Sequence, residues 1–298
     1  MKTLVSAADL SRDDLTRVIA RALEYADALE GGASVDQLLE GRVLANIFFE
    51  PSTRTRLSFE LAAKRLGAHV LTLNPGTSSS VKGESLRDTV TTVTSIGADI
   101  LVVRHEKEGV PETIREWTGV PVLNAGDGAH EHPTQALLDA ATLVSRFGDV
   151  TGLQLGVVGD IGHSRVAGSL VHVMPALGVD VMFVGPDGLL PESAPDGISM
   201  CDDLDSVLQT LDVVYLLRVQ KERGALAGPD YGQRFRIDQR RSSLMQPEAV
   251  IMHPGPMNRG IEIAADVADG PRSLILTQVR HGVPTRMSVL AEIAEGLQ

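Results

Sequence analysis

The chain has 298 residues, 43% of them hydrophobic, and a formal net charge of −12, which fits two ordinary domains with sizeable cores. One cysteine, Cys201, excludes an internal disulfide framework and a cysteine-based metal cluster, and the acidity argues against nucleic acid or a membrane surface as partners. The first residues, MKTLVSAADLSRDDL, lack an apolar signal core, and no apolar run approaches membrane-spanning length, so a soluble, cytoplasmic protein is expected.

Aromatics are only 3% of the chain, so the cores are expected to be Leu, Val, Ile and Ala. Ser11 is a good N-cap for a first helix with Leu15, Val18, Ile19, Ala22, Leu23 and Ala26 on one face. Val43 to Phe49 is a strand candidate, followed by EPSTRTR and a helix carrying Leu57, Leu61 and Leu66. Val70 to Leu73 is a strand, and the polar, Gly/Ser-rich stretch from Asn74 to Gly83 is a loop. A helix follows with Leu86, Val90, Val93 and Ile96 inward. Ile100 to Val103 is a strand ending at Arg104, and Pro121 to Leu123 is another. A helix then opens at Pro133, a favoured first helical position.

The pattern restarts near Gly148. Leu153 to Val158, Val179 to Val184, Val213 to Leu217 and Val250 to Met252 read as strands, with helices at Arg165 to Leu177 and Asp203 to Leu208. Thr285 to Leu297 closes the chain as a helix. Short apolar runs alternating with helical periods predict an α/β protein with parallel sheets. The helix from Pro133 to Phe147 is the natural connector between two such units.

Five segments carry candidate chemistry. Ser52-Thr53-Arg54-Thr55 lies between a strand and a helix, where unpaired N–H groups and the helix dipole favour an anion. A plain helix start, capped by Ser52, accounts for the same residues. In His130-Glu131-His132-Pro133-Thr134-Gln135, an H-x-H pair can hold a metal, but no third ligand lies at a sensible spacing. The other reading has His132 and Gln135, one helical turn apart, presenting donors to one ligand.

Gly156-Val157-Val158-Gly159-Asp160-Ile161-Gly162-His163-Ser164-Arg165 follows a strand and opens a helix. Its spacing is G-x-x-G-x-x-G rather than G-x-G-x-x-G, and a valine stands where backbone must approach a pyrophosphate. Asp187, after the next strand, is the residue that a dinucleotide reading would take as its ribose acid. Arg165 instead suggests a carboxylate partner. Alternation puts Arg218 and Gln220 on one face after a strand. His253-Pro254-Gly255-Pro256 forms a stiff loop at a strand end, the kind that lines ligand crevices in open α/β sheets.

Taken in order, FFEPSTRTRLSFE, SSSVKGESLRDT, HEHPTQALLD, GDIGHSRVAGS, LLRVQKER and HPGPMNRG resemble the aspartate/ornithine carbamoyltransferase superfamily from the first helix to the last. Ser-Thr-Arg-Thr and His-Pro-x-Gln are common to its members. The Lys82 loop and the pair Arg218/Gln220 are similar to the aspartate-specific branch. The ornithine branch carries H-C-L-P near the C-terminus, where this chain has His253-Pro254-Gly255-Pro256.

The resemblance implies an α/β fold of two domains, each an open, mostly parallel sheet flanked by helices, with the active site in the crevice between them. Residues 1–147 plus 284–298 would bind carbamoyl phosphate and residues 148–283 aspartate. Ser52, Thr53, Arg54 and Thr55 would bind the phosphate. Thr55, Arg104 and His132 would contact the carbonyl oxygen, and Gln135 with Gly255 and Pro256 the amino group. Arg165, Arg218 and Gln220 would hold the aspartate carboxylates, with Ser78 and Lys82 reaching in from a neighbouring subunit of a homotrimer. The catalytic set would be Arg54, Thr55, Lys82, Arg104 and His132, serving an early step of pyrimidine biosynthesis without metal or organic cofactor. Three alternatives stay open: another acceptor such as ornithine, a non-catalytic scaffold of the same fold, and a nicotinamide-dependent oxidoreductase. A regulatory chain or a dihydroorotase partner is also left open.

Overall fold

The computed structural model describes residues 1–73, 83–220, 228 and 230–297. It divides into two compact units, Met1–Ala141 with Val279–Gln298, and Thr142–Gln278. Among the described residues no helix is long and apolar enough to cross a membrane.

The first unit is built on a four-stranded parallel sheet of β1 (Val43–Phe48), β2 (His69–Leu73), β3 (Ile100–His105) and β4 (Val122–Asp127), in the order β2-β1-β3-β4. The chain passes from β1 to β2 on one side and returns to β3 on the other. A crevice therefore opens beyond the carboxyl ends of β1 and β3, where open α/β sheets bind ligands.

Helix α1 (Arg12–Glu30) starts at a capping box between Ser11 and Asp14. Its buried face is Leu15, Val18, Ile19 and Ala22, each larger side chain contributing roughly 1.5–3 kcal/mol by leaving water. Helix α2 (Thr53–Arg65) buries Thr55, Phe59, Ala62 and Ala63. Leu66 is buried just beyond it, but Leu57 and Leu61 lie on its exposed side.

Helix α3 (Leu86–Ser95) is capped by Ser85 and buries Thr89, Val90 and Val93. Ile96, expected inward, is 69% exposed. The helix ends one residue earlier, so the 3.6-residue period no longer directs that side chain to the core. Helix α4 (Val110–Thr118) returns the chain to β4. Ala45, Ile47, Val90, Val93, Leu101, Val103, Ile114 and Val122 form one core of this unit.

Helix α5 (Pro133–Phe147) begins in the first unit and ends in the second. The second unit has a five-stranded parallel sheet of β5 (Gln154–Val158), β6 (Asp180–Val184), β7 (Ser199–Cys201), β8 (Val213–Leu216) and β9 (Val250–Met252). Its order is β7-β6-β5-β8-β9, so the switch point lies between β5 and β8. Helix α6 (Arg165–Ala176) follows β5, and Val158, Leu204, Val214, Leu216, Phe235 and Ile251 belong to the core. Helices α7 (Leu204–Val207), α8 (Tyr231–Phe235), α9 (Gln239–Leu244) and α10 (Ala265–Ala268) are short.

The closing helix, α11, runs from Ile275 to Gly296, ten residues longer at its start than the Thr285 expectation. It passes through Pro284, which removes one backbone donor from the helix ladder.

Candidate active site

In the first unit the site begins where β1 meets α2. Ser52 has extended backbone at the N-cap, but its side chain makes no capping bond. The capped-start reading therefore fails for its hydroxyl, which is not committed to the helix. Arg54 is exposed by surface area, yet protein atoms crowd it enough that desolvation draws its pKa below the ordinary arginine value. Thr55 is on the buried face of α2, and its Oγ1 lies 3.4 Å from Nε2 of His132. The two residues are 77 positions apart and meet beyond the carboxyl ends of β1 and β4, which flank β3 in the same parallel sheet.

Arg104 stands at the end of β3, in register with Phe48 of β1. Its Nε is 3.3 Å from Oε2 of Glu50, and its Nη1 donates to the Ala125 carbonyl at 3.2 Å. The side chain is thus held across the ends of three strands. Glu50 carried no signal in the sequence beyond its place before Pro51, and its part as the anchor of Arg104 is visible only in three dimensions.

The two histidines of the H-x-H pair serve different partners. His130 Nδ1 lies 3.1 Å from the buried Asp127 carboxylate. Burial opposes its charge, but the hydrogen bond and charge of Asp127 outweigh this and raise the His130 pKa. Between them, Glu131 accepts hydrogen bonds from the Ser6 hydroxyl and, at 2.7 Å, from the Ala7 N–H, which ties down the chain start. His132 remains beside Thr55. One turn on, Gln135 is buried and donates from Nε2 to Asp139 at 3.0 Å.

In the second unit the loop after β5 is organised by Asp160, which is fully buried. Its Oδ1 is 2.7 Å from His163 Nδ1, and its Oδ2 accepts from the Gln220 N–H at 2.8 Å. Gln220 Nε2 donates to the His163 carbonyl at 2.8 Å. Asp160 thereby joins the β5 loop to the segment after β8. Neither Asp160 nor His163 was singled out by spacing, though both lie inside the glycine motif.

Two glycines of that motif serve packing. A Cβ on Gly156 would meet Leu211 Cδ1 at 2.4 Å. Gly159 has φ of +124°, and a Cβ there would come within 2.5 Å of the Leu217 carbonyl. Close strand packing and a tight turn explain them without a pyrophosphate. Arg165, the first residue of α6, is buried. After β8, Val219 is buried in the core while Arg218 and Gln220 are half-buried, the alternation expected from the sequence.

The loop after β9 is held by His253. Its Nδ1 accepts from the Gly255 N–H at 2.8 Å, so the ring proton sits on Nε2, which faces Glu262 Oε1 at 3.2 Å. Glu262 also accepts from the Asn258 N–H, and His253 N–H donates to Gln278 at 2.9 Å. Gly255 has φ of +67° and the Gly255–Pro256 peptide is cis, so the turn favours glycine there. Ser78 and Lys82 lie outside the described residues.

Two family models match this chain. The aspartate/ornithine carbamoyltransferase carbamoyl-P binding domain covers residues 2–145, and the Asp/Orn binding domain of the same family covers residues 151–293.

The chain belongs to the aspartate/ornithine carbamoyltransferase family.

Among similar proteins, the aspartate carbamoyltransferase catalytic subunit of Salinispora arenicola is 47% identical over 300 residues, covering 97% of each chain. That of Acidothermus cellulolyticus is 48% identical over 297 residues, covering 97% of this chain and 91% of the relative. Among solved structures, aspartate transcarbamoylase from Trypanosoma cruzi with carbamoyl aspartate and phosphate has a TM-score of 0.91 at 35% identity, covering 98% of this chain and 95% of that one. The same enzyme with carbamoyl phosphate and aspartate has a TM-score of 0.90 at 34% identity, covering 98% and 96%. Ser52, Thr53, Arg54, Thr55, Arg104, His132 and Gln135 fall in the first matched segment. Arg165, Arg218, Gln220, Gly255 and Pro256 fall in the second.

Proposed function

We propose that this chain is an aspartate carbamoyltransferase, moving the carbamoyl group of carbamoyl phosphate to the amino group of L-aspartate to give N-carbamoyl-L-aspartate and phosphate. The observation that carries the reading is the approach of Thr55 to His132 at 3.4 Å, with Arg104, tethered by Glu50 and Ala125, at the end of the strand between β1 and β4. These donors gather in a segment that matches the carbamoyl-P binding domain. Relatives at 47–48% identity bear the corresponding name.

The neutral amine of aspartate attacks the carbamoyl carbon. The carbonyl electrons move onto oxygen, and the tetrahedral intermediate expels phosphate, which takes up the proton that the amine loses. Phosphate is already a competent leaving group, so no covalent enzyme intermediate is needed. The protein must hold two anions against their repulsion and stabilise the oxyanion. Ser52, Thr53, Arg54 and Thr55 bind the phosphate at a helix start. Thr55, Arg104 and His132 receive the developing negative charge. Gln135, Gly255 and Pro256 contact the carbamoyl amino group. Arg165, Arg218 and Gln220 hold the aspartate carboxylates, joined by Ser78 and Lys82 from the neighbouring subunit of a homotrimer. Cationic surroundings also favour the neutral amine over the ammonium form. The reaction calls for no metal or organic cofactor. A cytoplasmic location and a place early in pyrimidine synthesis accord with this chemistry.

The test is product formation from carbamoyl phosphate with aspartate or ornithine as acceptor. Aspartate is expected to be carbamoylated and ornithine not, because the ornithine side chain brings a cation among arginines, a like-charge contact that is strongly unfavourable. Comparable rates with the two amino acids would sink the assignment.

A further inference from the structure

Gln135 and Asp139 are one turn apart on α5, and Gln135 Nε2 donates to Asp139 Oδ1 at 3.0 Å. Both side chains are buried, Asp139 completely. A free glutamine amide can rotate by half a turn and exchange its carbonyl for its NH2. Here it cannot do so at no cost, because an ionised carboxylate only accepts hydrogen bonds. The NH2 must face Asp139, which directs Oε1 the other way.

A countercharge for Asp139 is built into α11. Arg286 is buried, its guanidinium carbon 4.9 Å from the centre of the Phe59 ring, and its Nη1 donates to the Gly282 carbonyl at 3.0 Å. Burial works against the Arg286 charge and lowers its pKa, while the negative charge of Asp139 opposes that shift. The two buried charges support one another, which keeps Asp139 an acceptor and the amide in one orientation.

We infer that Asp139 is a positioning residue that fixes Gln135 as a hydrogen-bond acceptor toward the ligand, and that this orientation selects a carbamoyl over an acetyl group on the phosphate. The inference rests on the proposed contact between Gln135 and the carbamoyl amino group. That NH2 donates to Oε1. The methyl of acetyl phosphate, similar in size, leaves Oε1 buried without a donor, which is how a site built for a hydrogen bond rejects an analogue lacking it. The proposed contact of Gln135 is to the carbamoyl amino group and not to the phosphate, so binding of inorganic phosphate should be independent of the pair.

The experiment measures binding of carbamoyl phosphate, acetyl phosphate and inorganic phosphate to the whole enzyme and to Asp139→Asn, Gln135→Ala and the double variant. Far-ultraviolet circular dichroism checks folding. The asparagine amide introduced by Asp139→Asn can donate as well as accept, so it no longer dictates the orientation of Gln135. Asp139→Asn should weaken carbamoyl phosphate about tenfold, from loss of one oriented hydrogen bond, and leave the other two ligands within about twofold. In the Gln135→Ala background the same substitution should add nothing.

If all three ligands weaken together, or if the effect persists in the Gln135→Ala background, the role of Asp139 is structural and the inference is overturned. A Gln135→Ala protein that loses the carbamoyl preference while Asp139→Asn keeps it overturns the inference alone. A Gln135→Ala protein that keeps the preference overturns it by removing the assignment beneath it. Should Asp139→Asn fail to fold for want of a partner to Arg286, Asp139→Asn/Arg286→Met removes both charges at similar volume and is read by the same outcomes.

Discussion

Arg104→Ala separates the cost of a lost interaction in the fold from the cost of a lost donor in the reaction. At 3.3 Å from Glu50, the gross Coulomb attraction is roughly 5 kcal/mol at an effective dielectric of about 20. Desolvation of two largely buried groups offsets most of it. The hydrogen bond from the charged Nη1 to the Ala125 carbonyl is worth about 1.5–3 kcal/mol net. A domain with roughly 5–15 kcal/mol of stability survives that loss as an almost wholly folded population. Removal of one oxyanion donor costs about 10²–10³ in kcat, or roughly 2.7–4 kcal/mol of transition-state stabilisation. The fall in activity should therefore far exceed anything partial unfolding can produce. Steady-state formation of carbamoyl aspartate gives the first quantity and urea unfolding the second. Glu50→Gln, which leaves Arg104 present but loosens its tether, should show a smaller fall in kcat. A folded Arg104→Ala protein with near-normal kcat would refute the oxyanion role and the reasoning that joins it to the Glu50 tether.

Three other outcomes are expected. Because His130 is engaged by Asp127 and His132 by Thr55, treatment with EDTA should leave activity unchanged. Activity lost to the chelator and restored by zinc would return the pair to metal binding. The proposed sharing of sites in a cyclic trimer predicts that Lys82→Ala and Arg54→Ala are each nearly inactive, yet regain activity when dissociated, mixed and reassembled. Mixed trimers no more active than either parent would count against the shared lysine. Asp205 has a pKa lowered first by its hydrogen bond to Arg241, against a smaller desolvation effect, and then by Arg240. A depressed carboxylate pKa stabilises the fold above the unfolded value of 3.8, and that contribution is lost as pH falls through the folded value. The stability gap to Asp205→Asn should thus be constant from pH 7 to about 5 and close at lower pH, as urea midpoints would report. A gap that persists undiminished at about pH 2 would show that charge is not its source.

The strands and most helices were legible because their signals are local. Val43–Phe48, Ile100–His105 and Val250–Met252 are strands built mainly of apolar residues. Ser11 caps the first helix, as its position led one to expect. The motif order marked the loops proposed to carry chemistry, and these follow parallel strands at their carboxyl ends. Local pattern misled at Ile96, where the helix stops before the period does. It fell short again at the start of α11, expected at Thr285 but begun at Ile275, with Pro284 inside the helix. The residues that steady the site were not legible. Glu50, Asp160 and Glu262 are ordinary acids until the partners they hold are known.

Short-range pattern was enough for the α/β alternation and for the helix start after β1, because burial period, caps and turn residues act over a few positions, while the order of the motifs along the whole chain carried the resemblance to the family. Which polar residues meet was left to the three-dimensional fold. Thr55 finds His132 across 77 residues, Asp160 finds Gln220 across 60, and Phe48 sets the level of Arg104 by strand register. Such pairings depend on strand order and on where the crossovers return the chain, and no local periodicity encodes either.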